Sequence, residues 1–198
     1  GLGFMFAPAH HSAMKYAIGP RKEMGIRTIF NMLGPMTNPA NVTNQVIGVF
    51  SQALCRPMAE VLKRLGSQHV LIVHAEVGLD EISISGKTFV TELKNDKIVE
   101  YTISPSDFGL NETNLDGLSV TSAEESLALI KNALGRATDE RSLKARDIII
   151  LNAGAAIYTS GLANSLSEGV ERAADAIGCG LAITKISDLA NFTNVFLS

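Results

Sequence analysis

Asp80 and Glu81 are adjacent carboxylates that follow the apolar run His69-Val-Leu-Ile-Val73 and a Gly78-Leu79 step. That run reads as a buried strand, so the pair falls just past a strand end, where open α/β sheets bind their ligands. Hard oxygen ligands in that place suit Mg2+, which keeps several waters and bridges to substrate phosphates. The same two acids would also sit well on a solvated loop, and spacing leaves both readings open. Arg21 offers a second chemistry at the helix start Pro20-Arg-Lys-Glu23. A planar guanidinium grips a carboxylate through two parallel hydrogen bonds, which lysine cannot reproduce. A surface arginine is the plainer alternative. His10 and His11 cannot both point the same way in a regular element, and no third His or Cys stands at a metal-ligand spacing. One of them is read as capping or supporting the helix that follows.

Two further patterns carry no chemistry. Ser12-Ala-Met-Lys15 matches the Ser-x-x-Lys of penicillin-interacting enzymes, but the companion Ser-Asp-Asn and Lys-Thr-Gly motifs are absent, Lys87-Thr-Phe89 being a partial echo. Gly1-Leu-Gly3 has no preceding βα context and is not a dinucleotide fingerprint.

The elements that must position these residues follow from pattern. Ala13 to Met24 has helical composition, divided or restarted by Pro20. In Arg27-Thr-Ile-Phe-Asn-Met-Leu-Gly-Pro-Met-Thr-Asn-Pro39 an apolar run is broken by Gly34-Pro35, which brings backbone close to its neighbour and removes a donor. Asn44 to Phe50 reads as a short buried strand. Ser51 could cap the next helix, on which Leu54, Met58, Val61, Leu62 and Leu65 fall at helical spacing before Gly66. With His69–Val73 this forms a strand–helix–strand unit, implying parallel pairing and a right-handed crossover. Thr88 to Lys94 and Lys97 to Ser104 are rich in β-branched residues and flank Asn95-Asp96, a hairpin signal. Gly109 to Ser122 reads as a surface loop. Helices are predicted over Ala123–Leu134, Leu143–Thr159, Ser167–Ile177 and Leu181–Ala190, the Ala-rich run Asn152 to Ala156 packing closely on the sheet.

Taken together, Phe4-Met-Phe-Ala-Pro-Ala-His-His-Ser12, Arg27 to Pro39, Val46-Ile-Gly-Val-Phe50, Gly78-Leu-Asp-Glu-Ile-Ser83, Leu151-Asn-Ala-Gly-Ala-Ala156 and Leu166-Ser-Glu-Gly169 resemble the anthranilate phosphoribosyltransferases. The motifs run in order along nearly the whole chain. The resemblance implies an α/β fold with a mixed, mostly parallel central sheet flanked by helices, as in the C-terminal part of nucleoside phosphorylases and phosphoribosyltransferases. It implies transfer of a phosphoribosyl group from phosphoribosyl pyrophosphate to anthranilate in tryptophan biosynthesis. It further implies Mg2+ on Asp80 and Glu81, Arg21 on the anthranilate carboxylate, and His11, Met14, Gly34 and Pro35 along the anthranilate access path. Lys22 stands where many relatives carry a second arginine, which favours Arg21. Family members open with a helical segment, a Gly-Thr-Gly-Gly-Asp phosphate-cradling loop and a Lys-His-Gly-Asn motif, none of which occurs here. Residues 1–198 therefore read as one α/β domain, the C-terminal part of a longer chain, expected to be inactive alone. The resemblance implies that the parent is a homodimer through its N-terminal region.

Composition is consistent with this. The 198 residues are 46% apolar, enough to bury a core as one domain. A net charge of −3 argues against a nucleic-acid surface, as the basic groupings Arg21-Lys22, Lys63-Arg64 and Arg141 to Arg146 are small. That charge and the intact Asp80-Glu81 disfavour a nucleic-acid-binding relative of the same fold. Arg21 and Leu33-Gly-Pro-Met-Thr-Asn-Pro39 disfavour a pyrimidine nucleoside phosphorylase. Cys55 and Cys179 lie in no metal spacing and read as buried thiols of a reducing, cytoplasmic protein. Leu2 to Pro8 is too short to span a membrane.

Overall fold

The computed structural model describes residues 2–3, 36 and 40–196. His11, Met14, Arg21, Gly34 and Pro35, with the helix expected over Ala13–Met24 and the segment Arg27–Pro39, lie outside that set, Met36 alone excepted. Internal contacts divide the chain into two units, Gly1–Val42 and Thr43–Ser198, where the sequence reads as one domain.

The second unit contains four described strands: β1 (Asn44–Gly48), β2 (His69–Ala75), β3 (Thr88–Lys94) and β4 (Lys97–Ile103). They lie in the order β1-β2-β3-β4. The β1–β2 pairing is parallel, with Gly48 opposite Val73. The β2–β3 and β3–β4 pairings are antiparallel. The sheet is thus mixed as expected, but among the described strands it is not mostly parallel. The expected hairpin supplies one antiparallel pairing, Asn95 and Asp96 taking positive φ of 51° and 61° to turn β3 straight back as β4. The difference lies in β2–β3, where the connection from Glu76 to Lys87 returns the chain beside β2 in the opposite sense.

Helix α1 (Cys55–Arg64) packs on β2, β3 and β4. Its buried face is Cys55, Met58, Ala59 and Leu62. Val61 and Leu65 are exposed, so the expected apolar stripe is shifted by part of a turn. Ser51 precedes a short 3-10 turn (Gln52–Leu54) and makes no side-chain capping bond there. Cys55 is buried, and desolvation followed by the Glu100 charge pushes its thiol up to about 11. Cys179 is exposed, contrary to expectation.

Four further helices of this unit are described: α2 (Ala123–Leu134), α3 (Glu140–Thr159), α4 (Leu166–Gly178) and α5 (Leu181–Asn194). Sequence places the start of α3 at its first apolar residue, Leu143. The helix begins earlier because Asp139 caps it, accepting from the Ser142 amide at 3.0 Å. Ser122 and Ser165 cap α2 and α4 in the same way. Leu151 and Ala155 of α3 share one core cluster with Leu71, Val73, Val90 and Val170. The run Asn152–Ala156 also makes a close helix–helix contact. A Cβ on Gly154 would lie 2.6 Å from Val170, and one on Gly169 would lie 2.3 Å from the Gly154 carbonyl, so both glycines let α3 and α4 touch along their backbones. The loop from Gly109 to Ser122 is largely exposed, though Leu110, Leu115 and Leu118 pack against the core.

At the N-terminal end of β2 a polar cluster is buried. The Glu92 carboxylate accepts from His69 Nε2 at 2.9 Å, from the Tyr158 hydroxyl at 2.8 Å and from the Tyr101 hydroxyl at 3.0 Å. Burial and the Glu92 charge raise the Tyr101 hydroxyl well above the ordinary tyrosine range, so it stays a donor. No helix among the described residues is long and apolar enough to cross a membrane.

Candidate active site

The opposite end of the sheet carries the candidate chemistry. β1 and β2 run parallel, so both carboxyl ends lie on one edge. The connection from Glu76 to Lys87 leaves β2 there and holds Asp80 and Glu81, as the sequence predicts. Both residues are exposed, and neither is in an ion pair with any described residue. Glu81 also borders a cleft of about 390 Å³ lined by Leu79, Leu115, Leu118, Ile130 and Ile149. Partial burial, then the neighbouring Asp80 charge, raises the Glu81 carboxyl above its ordinary value. Two adjacent carboxylates with no ion-pair partner among the described residues can gain from a bound cation.

The backbone bearing the pair is held from two sides. On one side lies Gly48, at the end of β1. A Cβ there would stand 1.5 Å from the Asp80 carbonyl oxygen and 2.4 Å from its carbon, so only glycine lets the turn rest on the strand end. His74 steadies the same edge through Nδ1, which donates to the Val49 carbonyl at 2.8 Å. On the other side is Asn152 of α3. Its Oδ1 accepts from the Ile82 amide at 2.9 Å, and its Nδ2 donates to the Ile82 carbonyl at 2.8 Å. Nδ2 also donates to the Ile148 carbonyl one turn back, at 3.0 Å.

Further ties complete the connection. The Ala75 amide bonds to the Leu79 carbonyl at 2.9 Å, and the Ser83 amide to Thr88 Oγ1 at 3.2 Å. The Thr113 amide bonds to the Ile84 carbonyl at 2.9 Å and joins the loop 109–122 to it. Sequence reasoning assigns no role to Gly48, His74 or Asn152. Two signals are present all the same: a glycine inside the apolar run Val46-Ile-Gly-Val-Phe50, and one amide inside the apolar stretch Ile148 to Ala156.

Two carboxylates do not by themselves complete a metal shell, and no group of three or more His, Cys, Asp or Glu able to hold an ion occurs among the described residues. This fits Mg2+, which commonly takes one or two protein carboxylates and completes its shell with water and substrate phosphate.

The described unit is thus a mixed α/β sheet that carries the carboxylate turn beyond the carboxyl ends of its parallel strands. Residues 1–183 match the model of the glycosyl transferase family, a/b domain, and the chain belongs to that family. Among curated proteins it is similar to the anthranilate phosphoribosyltransferases of Hahella chejuensis (66% identity over 99% of this chain and 57% of that protein) and Ectopseudomonas mendocina (63%, over 99% and 56%). The chain thus spans a little over half the length of these relatives. Among solved structures it is similar to the anthranilate phosphoribosyltransferase of Thermus thermophilus, with a TM-score of 0.85, 37% identity and coverage of 96% of this chain and 55% of that one. The Saccharomyces cerevisiae enzyme in complex with phosphoribosyl pyrophosphate and Mg gives a TM-score of 0.76 at 29% identity, over 89% and 50%.

Proposed function

We propose that this chain supplies the metal and acceptor side of an anthranilate phosphoribosyltransferase, which transfers the phosphoribosyl group of phosphoribosyl pyrophosphate to the amine of anthranilate and releases pyrophosphate. The observation that carries the reading is the exposed Asp80–Glu81 pair, without an ion-pair partner among the described residues, fixed at the carboxyl edge of the parallel strands. The names of the close relatives supply the substrate pair. Asp80 and Glu81 hold Mg2+, which when bound offsets the negative charge gathering on the departing pyrophosphate. Arg21 receives the anthranilate carboxylate through two parallel hydrogen bonds and so aims the amine at the sugar carbon. His11, Met14, Gly34 and Pro35 line the approach of anthranilate. No residue of the chain has to act as a general base in this scheme. The reading extends to a cytoplasmic enzyme of tryptophan biosynthesis that pairs as a homodimer.

The test uses a chimera in which residues 1–198 replace the matching part of the Hahella chejuensis relative. The double substitution Asp80→Asn with Glu81→Gln should abolish the Mg2+ response of anthranilate consumption while leaving the circular dichroism spectrum unchanged. Unaltered Mg2+ dependence in the folded double variant would place the ligands elsewhere.

A further inference from the structure

We infer that Asn152 is the positioning residue of the carboxylate turn: it sets the backbone from which Asp80 and Glu81 present their oxygens, and so sets the affinity of the site for a divalent cation. The inference rests on the metal reading of that pair.

Ile82 is 2% exposed, and its peptide lies in a connection outside any strand ladder, so its N–H and C=O require partners from elsewhere. A primary carboxamide carries an acceptor and a donor side by side and can satisfy both, as a neighbouring strand would. Asn152 does so at 2.9 and 2.8 Å, one residue from Glu81. Its remaining N–H is spent on the Ile148 carbonyl at 3.0 Å, which fixes the side chain against its own helix. That set of partners also fixes the orientation of the amide, because Nδ2 faces two carbonyls and Oδ1 faces an N–H. An aspartate would turn an oxygen toward both carbonyls, and an alanine would leave the Ile82 peptide unpaired. Gly48 stops the turn from one side by contact, whereas Asn152 draws it in from the other by directed bonds. Helix α3 is itself braced by its backbone contact with α4 at Gly154 and Gly169, so Asn152 pulls from a firm base. Partners beyond the first ring of ligands commonly hold metal ligands in place, and their loss weakens metal affinity about 10–100-fold.

The experiment titrates the 198-residue chain with Mn2+ alone, reading the free ion by electron paramagnetic resonance. The wild-type chain should bind, and Asp80→Asn with Glu81→Gln should not. Asn152→Ala should bind about 10-fold more weakly or worse. Tyr158→Phe, which removes a buried hydroxyl from the same helix at the other end of the sheet, should bind like wild type while losing some resistance to urea. Absence of Mn2+ binding in the wild-type chain, or binding unaffected by the double substitution, overturns the metal reading. Binding through the pair that is as tight in folded Asn152→Ala as in wild type overturns the positioning role alone. Should Asn152→Ala not fold, amide hydrogen exchange on the wild-type chain decides: Ile82 should be protected while Asp80 and Glu81 exchange freely, and a freely exchanging Ile82 overturns the inference.

Discussion

At the scale of single residues, the site depends on where charge is left unpaired and where atoms leave no room. Glu81 borders an apolar cleft, and partial burial followed by the neighbouring Asp80 charge raises its carboxyl above the ordinary value. Gly48 marks the opposite constraint. Gly48→Ala forces a methyl into the Asp80 carbonyl. The turn must then move, at a cost of about 1–3 kcal/mol by analogy with overpacked cores. A lowered urea midpoint with weakened Mn2+ binding is the expected result, and unchanged values for both would remove Gly48 from the site. Arg21→Lys tests the acceptor side. Exchanging a two-pronged contact for a point charge should raise the anthranilate KM of the chimera by the equivalent of about 1.5–3 kcal/mol, the range for hydrogen bonds to charged groups. An unchanged KM would sink that assignment. The place of Asp80 and Glu81 past a strand end is legible in sequence because the buried run His69–Val73 and the Gly78-Leu79 step lie in the same segment. Gly48 and Asn152 are not, because their roles depend on a partner distant in sequence: 32 positions separate Gly48 from Asp80, and 70 separate Ile82 from Asn152.

At the scale of elements, local signals are legible wherever the chain itself supplies the cause. The bounds of α2 and the Asn95-Asp96 hairpin follow from a cap and a turn that belong to their own segments. Apolar periodicity places the start of α3 too late because it passes over the Asp139 cap. The buried stripe of α1 differs from the expected one because packing against β2, β3 and β4 chooses the face, and spacing alone admits a neighbouring one. The helix starts also bear on acid stability. Glu125 accepts from the Thr121 amide at 2.8 Å and pairs with Arg141 at 2.8 Å. The Thr121 bond first, and then Arg141, hold its carboxyl down to about 2 against an ordinary 4.5. Folding lowers this pKa, so its contribution is present above about pH 4.5 and is lost as pH falls through about 2. Glu125→Gln should therefore flatten the fall in stability across that window in urea titrations at stepped pH. An identical acid limb in the variant would show that the bond carries no stability.

At the scale of the whole molecule, the described sheet sorts its polar work by end. The buried Glu92 cluster lies at the amino end of β2, whereas the exposed carboxylates lie beyond its carboxyl end. One end is rich in hydrogen bonds, and the other carries carboxylates without an ion-pair partner among the described residues. The 198 residues contain no glycine-rich phosphate loop of the Gly-Thr-Gly-Gly-Asp kind. Backbone donors of such loops carry much of phosphate recognition. The chain assayed by itself should therefore leave anthranilate unconsumed. The most direct measurement offers the chimera with Hahella chejuensis two substrate sets: anthranilate with phosphoribosyl pyrophosphate and Mg2+, and a pyrimidine nucleoside with inorganic phosphate. The expected result is loss of anthranilate fluorescence that requires the pyrophosphate donor and disappears when Asp80 and Glu81 are replaced together, with no release of free pyrimidine base. A folded chimera that leaves anthranilate untouched, or that cleaves the nucleoside instead, would contradict the proposed transferase function.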